Sequence, residues 1–135
     1  MKLNTSRLLA TIAVSGLITL FSCKKDNSAK DNTLTGKWKL TETYADPGNG
    51  KVNYIAVPKD NKEYISFNGD GTLDGSGFAN GTTYVVKDSV TIAVTSKDNT
   101  VENYRYSIKN GTLQMSPAGP IVCIEGCGTR YRKMR

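Results

Sequence analysis

The chain has 135 residues, no histidine and a formal net charge of +6 at pH 7. The lack of histidine excludes Ser-His-Asp and Cys-His catalysis and any imidazole-ligated zinc site. Between positions 23 and 129 there are 12 basic and 12 acidic residues, so the excess positive charge belongs to the two ends of the chain. This balance predicts no broad basic face and therefore no nucleic acid as a partner.

The first 22 residues have the anatomy of a secretory signal. Lys2 and Arg7 are followed by a weakly polar-to-apolar stretch of 14 residues, 8–21, whereas a membrane-spanning helix needs about 20 residues. The stretch ends in Leu20-Phe21-Ser22-Cys23, which resembles the lipobox of bacterial lipoproteins. The resemblance implies a signal peptide at 1–22 and a lipidated Cys23, with palmitate as the expected acyl chain. Ordinary secretion with a structural Cys23 is the alternative.

Residues 23–34 are mostly polar and lack periodicity, which predicts a flexible, lipid-anchored tether before a domain at 35–135. From Gly36 onward, short runs rich in Val, Ile, Thr and Tyr alternate with Gly and Asn, a pattern typical of β-strands. The predicted strands span about 37–44, 51–57, 63–67, 72–78, 83–87, 90–95, 101–108, 112–116 and 129–134. Asn80-Gly81 predicts a type I′ hairpin turn, which needs positive φ at both residues.

Strands at hairpin spacing without crossover helices predict an all-β, antiparallel meander. In about 100 residues, we expect this meander to close into an up-and-down barrel of about eight strands, because closure removes exposed sheet edges. A β-sandwich is the alternative.

Cys123 and Cys127 remain as a pair in an oxidising compartment, where a disulfide is the expected state. Four residues of extended chain span about 13 Å, whereas the Cα atoms of a disulfide lie within about 7 Å of each other. The intervening residues must therefore form a turn, which Gly126 favours. A redox role is the alternative, although the thioredoxin-like context is missing.

Several segments together resemble the small lipocalin-like lipoproteins of Bacteroidetes, over residues 34–134. They are Gly36-Lys37-Trp38 with its flanks, the runs 64–73 and 113–117, the cysteine segment 123–127, and Arg130-Tyr131-Arg132-Lys133. The resemblance implies a lipocalin-like barrel, usually without an established ligand or activity. In lipocalins, a guanidinium of the last strand covers the tryptophan ring as a structural pair. We therefore expect Gly36, Trp38 and either Arg130 or Arg132 to close one end of the barrel.

Tyr104 and Tyr106 share one strand face, and Tyr64 and Phe67 lie on the third predicted strand. If these four rings point inward, they line a cup suited to an amphipathic ligand. The alternative is that they form cross-strand aromatic pairs. A barrel of eight strands can either be filled by side chains or hold one small ligand.

The expected function is a non-catalytic, monomeric outer-membrane lipoprotein that faces the periplasm or the cell surface. It would contact the membrane through its anchor and bind a small apolar or amphipathic ligand at the end opposite Trp38, without a cofactor or metal. A structural or interaction protein of the cell envelope with a filled barrel is the alternative. An enzyme is disfavoured because no spacing places two carboxylates beside a nucleophile.

Overall fold

The computed structural model describes residues 33–46, 48–121, 123–124 and 126–135. The predicted signal peptide, Cys23 and most of the predicted tether lie outside these residues. The described chain forms nine strands: β1 Gly36–Ala45, β2 Ile55–Ala56, β3 Tyr64–Phe67, β4 Leu73–Asp74, β5 Gly81–Val86, β6 Thr91–Ser96, β7 Val101–Lys109, β8 Thr112–Pro117 and β9 Cys127–Lys133. Within the same residues there is no helix long and apolar enough to span a membrane.

The strands form one antiparallel meander that is nearly closed. Their order is β4-β3-β1-β9-β8-β7-β6-β5, so the first strand pairs with the last. An isolated bridge between Thr72 and Thr83 brings β4 and β5 together and completes the circuit. The short β2 pairs with β1 beyond the end of β3, so β2 and β3 act as one interrupted strand. The predicted all-β, lipocalin-like barrel of about eight strands is confirmed.

Two local predictions about the β4–β5 connection are wrong. The fourth strand ends at Asp74 rather than at Phe78, and Ser76–Phe78 form a 3-10 turn. Positive φ angles occur not at Asn80-Gly81 but at Asn110 (56°) and Gly111 (71°), which join β7 to β8. Six residues connect the end of β4 at Asp74 to the start of β5 at Gly81, so this connection is longer than a two-residue hairpin and places Phe78 beside the barrel.

The core occupies one half of the barrel. Alternate residues of the strands face inward, as expected for a period of two. The buried apolar side chains are Leu34, Trp38, Leu40, Ile65, Phe67, Leu73, Ile92, Val94, Leu113, Met115 and Tyr131. Full burial of one such side chain stabilises the fold by about 1.5–3 kcal/mol. Among the described residues, no charged side chain is buried.

A β-bulge in β1 changes which residues face the interior. The register with β9 shifts between Leu40, which pairs with Tyr131, and Glu42, which pairs with Arg130, so Thr41 is the extra residue. Below the bulge, Trp38 and Leu40 point into the core. Above it, Thr43 pairs with Thr129 on the inner face. The bulge therefore places a threonine where unbroken alternation would place Glu42 or Tyr44.

Candidate functional site

The end of the barrel that contains Trp38, here called the closed end, is sealed by the chain that precedes β1. Trp38 is fully buried, and its indole Nε1 donates a hydrogen bond to the Leu34 carbonyl oxygen at 2.7 Å. Leu34 is itself buried and covers this end. Gly36 has a φ of 124°, and a Cβ there would lie 2.9 Å from Cε of Lys133. Glycine at position 36 thus lets the lysine side chain pass against the backbone.

The cation over the Trp38 ring is Lys133, rather than Arg130 or Arg132 as the resemblance implied. Its Nζ lies 5.1 Å from the ring centroid and donates hydrogen bonds to the carbonyl oxygen and Oγ1 of Thr33, at 3.0 and 3.1 Å. Position 133 shares the inner face of β9 with Tyr131, and it pairs directly with Trp38. The two arginines alternate with these positions and therefore lie on the outer face.

At the opposite end, the mouth, the barrel contains a cup of about 300 Å³ that opens to solvent. Here "the mouth cup" means the cavity with an apolar lining of Phe78, Tyr104, Met115, Pro117 and Tyr131 and a polar lining of Thr43, Glu63, Ser116 and Thr129. Phe78 and Tyr104 meet edge to face, with ring centroids 5.0 Å apart. This volume is at the lower limit of known small-molecule sites, which span about 300–1,000 Å³.

Two phenols in the mouth cup are held in their neutral form. Burial raises the pKa of Tyr131 to about 12, and the charge of Glu63 contributes to the shift. The pKa of Tyr104 is raised further, mainly by burial and then by Glu102, whose carboxylate accepts a hydrogen bond from the Tyr104 hydroxyl. At neutral pH, the cup therefore has uncharged aromatic walls, with the Glu63 carboxylate among its polar groups.

The four aromatic residues predicted to line a ligand site lie in different places. Tyr104 lines the mouth cup, whereas Tyr106 packs against the core. Phe67 is fully buried, with its ring 4.9 Å from that of Tyr84. Tyr64 lies on the outer face, where Nζ of Lys37 sits 3.7 Å from its ring centroid. Alternation in β3 explains the difference, because residues 64 and 67 point to opposite faces.

Four of the five apolar lining residues, Phe78, Met115, Pro117 and Tyr131, were absent from the sequence-based prediction. Tyr131 and Met115 carried a usable signal, because Tyr131 alternates with two arginines and Met115 alternates with polar residues along β8. Phe78 carried none, since it reaches the mouth cup from a 3-10 turn that local patterning placed in a strand.

The predicted disulfide between Cys123 and Cys127 is present, with Cα atoms 5.7 Å apart. Gly126 has a φ of 92° in the turn between them, and its N–H donates to the Cys123 carbonyl oxygen at 3.2 Å. The carbonyl of Gly126 accepts a hydrogen bond from the N–H of Asp46 at 2.9 Å. Since Cys127 also lines the mouth cup, the disulfide fixes part of its rim.

A comparison with protein families gives one match. The model of a lipocalin-like domain matches residues 34–128, which include every strand from β1 to β8 and the first residues of β9. No curated protein and no solved structure matches the chain.

Proposed function

Because the chain belongs to the family of lipocalin-like domains, generally a non-catalytic binding fold, we propose that it is a non-catalytic, lipid-anchored outer-membrane protein that binds a small ligand at its mouth. The ligand is apolar or amphipathic. The observation that supports this most directly is the mouth cup, an open space of about 300 Å³ at the end of the barrel opposite Trp38.

The lining defines the chemistry of the ligand. Phe78, Tyr104 and Met115 present apolar surface, which favours an aromatic or short aliphatic body. Thr43, Thr129 and Glu63 offer hydrogen-bond acceptors, so a hydroxyl or amine at one end of the ligand is favoured. The packed core below the cup limits insertion, and a long acyl chain is therefore not the expected ligand.

A second candidate is a structural or interaction protein of the cell envelope that binds no small molecule. The observation that favours it is the closed half of the barrel, where Trp38, Ile65, Phe67, Ile92 and Leu113 are fully buried. The two candidates differ in one measurable property, which is saturable binding at the mouth.

The test is titration of the purified domain with N-phenyl-1-naphthylamine, a neutral apolar fluorophore. We expect saturable binding that Thr129→Phe, which fills the mouth cup, weakens at least about tenfold. Thr83→Phe is the matched control, because Thr83 is an exposed strand residue outside the cup. Thermal unfolding of each variant shows whether it remains folded. Absence of saturable binding to the wild-type domain would favour the second candidate.

The proposed anchor is the thiol of Cys23, supported by the signal-like residues 1–22 and the tetrapeptide that ends in that cysteine. The native protein is expected to partition into the detergent phase of a Triton X-114 separation, and Cys23→Ser into the aqueous phase. Mass spectrometry of the mature N-terminus would identify the diacylglycerol and the acyl chain. Proteolysis of intact cells would distinguish the cell surface from the periplasm. A wild-type protein that carries Met1 or an unmodified Cys23 would contradict the anchor while leaving the mouth cup untouched.

A further inference from the structure

We propose that the outer wall of the barrel carries a second site, which binds an acidic oligosaccharide independently of the mouth cup. The site is a cleft of about 670 Å³ on the outer faces of β7, β8, β9 and β1. "The outer cleft" is used here for its six central residues, Ser107, Lys109, Thr112, Gln114, Arg130 and Arg132.

Strand register brings these side chains together. Lys109 pairs with Thr112 and Thr112 with Arg132, which forms one row across three strands. The adjacent row is Ser107, Gln114 and Arg130. Directly opposed residues on one face have Cβ atoms about 4.5–5.5 Å apart. The two rows therefore form one continuous polar surface rather than isolated surface groups.

The charge of this surface is not balanced locally. Glu42 is the only acidic residue in the lining, and its Oε2 is already paired with Nη1 of Arg130 at 3.1 Å. In the described part of the chain, no carboxylate forms an ion pair with Lys109 or Arg132. The charges between residues 23 and 129 balance in number, but these three cations lie together on one wall.

The reason is that acids and bases occupy different kinds of position. Asp70, Asp88 and Asp98 lie in turns, where each carboxylate accepts a hydrogen bond from the backbone N–H two residues later, at 2.9, 2.9 and 3.0 Å. The hydrogen bond from the Thr72 hydroxyl and then the one from its N–H lower the pKa of Asp70. The backbone hydrogen bonds lower the pKa values of Asp88 and Asp98. Turn chemistry places these acids in loops, away from the strands that carry the cationic residues of the outer cleft.

Arg130 is oriented before any ligand arrives. Its guanidinium carbon lies 3.4 Å from the centroid of the Tyr54 ring, and Tyr54 packs edge to face on Tyr44 at 4.7 Å. A planar guanidinium held on an aromatic ring loses little freedom when it receives an anion, and it matches carboxylate or phosphate geometry. The cleft thus contains one fixed guanidinium, which is also paired with Glu42, beside two further cations, Lys109 and Arg132.

The remaining lining identifies the class of ligand. Hydroxyl and amide groups, such as those of Ser107, Thr112 and Gln114, surround the cations, and these groups suit sugar hydroxyls. None of the lining side chains is aromatic, so the cleft offers no platform on which nucleic-acid bases stack. The single apolar lining residue, Ala56, provides little surface for insertion into a lipid bilayer. An oligosaccharide with carboxylate groups matches both the hydroxyl and amide groups and the positive charge of this lining.

Isothermal titration with trigalacturonate tests the proposal, and maltotriose is the neutral trisaccharide for comparison. We expect trigalacturonate to bind at least about tenfold more tightly than maltotriose, and more weakly as salt rises. Removing two charge-assisted contacts in Lys109→Gln/Arg132→Gln should weaken binding of the acidic sugar at least about tenfold. The matched control, Lys87→Gln/Lys97→Gln, removes the same charge from exposed sites outside the outer cleft and should change binding less than about twofold.

Two further measurements distinguish the outer cleft from a general anion site and from the mouth cup. Gln114→Ala keeps every charge. We expect this variant to bind trigalacturonate more weakly than the wild type and inorganic phosphate with unchanged affinity. Binding of N-phenyl-1-naphthylamine should be the same in all of these variants, because the mouth cup is a separate site. Failure of the fluorophore to bind would therefore contradict the mouth ligand alone, and failure of trigalacturonate would contradict the outer cleft alone.

Three results would overturn the assignment. The first is that trigalacturonate does not bind, or binds no better than maltotriose. The second is an equal loss of binding in the two double variants, which would indicate a general charge effect. The third is that phosphatidylglycerol vesicles or a single-stranded oligonucleotide bind more tightly than trigalacturonate, and that this binding is lost in Lys109→Gln/Arg132→Gln. That result would assign this wall to a membrane or a nucleic acid.

Discussion

The closed end and the mouth are built from the same strands, but only one of them is filled. Across β1, β9, β8 and β7, one inner row reads Leu40, Tyr131, Leu113 and Ile108. The next inner row toward the mouth reads Thr43, Thr129, Met115 and Tyr106. Two threonines thus replace a leucine and a tyrosine in adjacent strands. The cup exists because Thr43 and Thr129, in the row nearer the mouth, have small side chains.

This comparison separates stability from binding. The closed end buries a tryptophan and the apolar residues around it, which is where most of the hydrophobic stabilisation resides. At the mouth, the rings of Phe78 and Tyr104 are only partly buried, at some cost in stability. Substitutions at the two ends should therefore have different effects, and four of them test this from the largest expected change to the smallest.

The largest effect is expected for Trp38→Ala at the closed end. Removal of this fully buried ring leaves a cavity and should lower the free energy of unfolding by about 3–5 kcal/mol. Thr129→Ala at the mouth should lower it by less than about 1 kcal/mol, because little packed surface is lost. Urea unfolding followed by circular dichroism measures both. Similar losses in the free energy of unfolding for the two variants would contradict the difference between the closed end and the mouth.

The mouth should lose stability in alkali through Tyr131. Burial raises its pKa to about 12 in the folded protein, from the ordinary phenol value of 10.0 expected in the unfolded chain. The stabilisation that comes from keeping this phenol neutral is therefore fully present below pH 10 and is lost as the pH rises toward 12. A shift of this size corresponds to about 2–3 kcal/mol. The free energy of unfolding, measured from pH 9 to 12, should fall less steeply in Tyr131→Phe than in the wild type.

Loss of the disulfide should loosen the mouth more than the closed end. In the chain-entropy view, opening so small a loop in Cys123→Ser/Cys127→Ser costs about 2 kcal/mol. Because Cys127 lines the mouth cup, N-phenyl-1-naphthylamine should bind more weakly. The emission maximum of Trp38, the single tryptophan, should stay at its wild-type wavelength. A shift of that maximum would show that the two ends are coupled.

The smallest effect concerns the cation at the closed end. Lys133→Met removes the charge over Trp38 and the hydrogen bonds to Thr33, and should lower the free energy of unfolding by about 1 kcal/mol. Lys37→Met removes a cation from the half-buried Tyr64 ring on the outer face and should change the free energy of unfolding by less than about 0.5 kcal/mol. Chemical denaturation compares the two. A larger loss for Lys37→Met would contradict the role given to Lys133.

Much of the fold follows from local pattern. Alternating polar and apolar residues, together with Gly and Asn at the turns, were sufficient to predict a strand near each of the nine observed strands. The two cysteines, with a glycine available for the turn between them, were sufficient to predict the disulfide in an oxidising compartment. Predictions that depended on one short segment in isolation were weaker. The turn at Asn80-Gly81 and the length of β4 were wrong because the chain there adopts a 3-10 turn beside the barrel.

By itself, the sequence predicted antiparallel strands joined by short turns and a disulfide between two cysteines four residues apart, because both involve neighbours along the chain. It left open whether the meander closes by pairing its first strand with its last, since those strands are distant in sequence. Only the tertiary structure decided that Lys133 covers the tryptophan, that Tyr64 points outward and that Phe78 enters the mouth. It also gathered basic residues from β7 and β9 onto one wall. Alternation states which residues of a strand share a face, but a bulge and the register between distant strands decide which face is inside and what lies beside it.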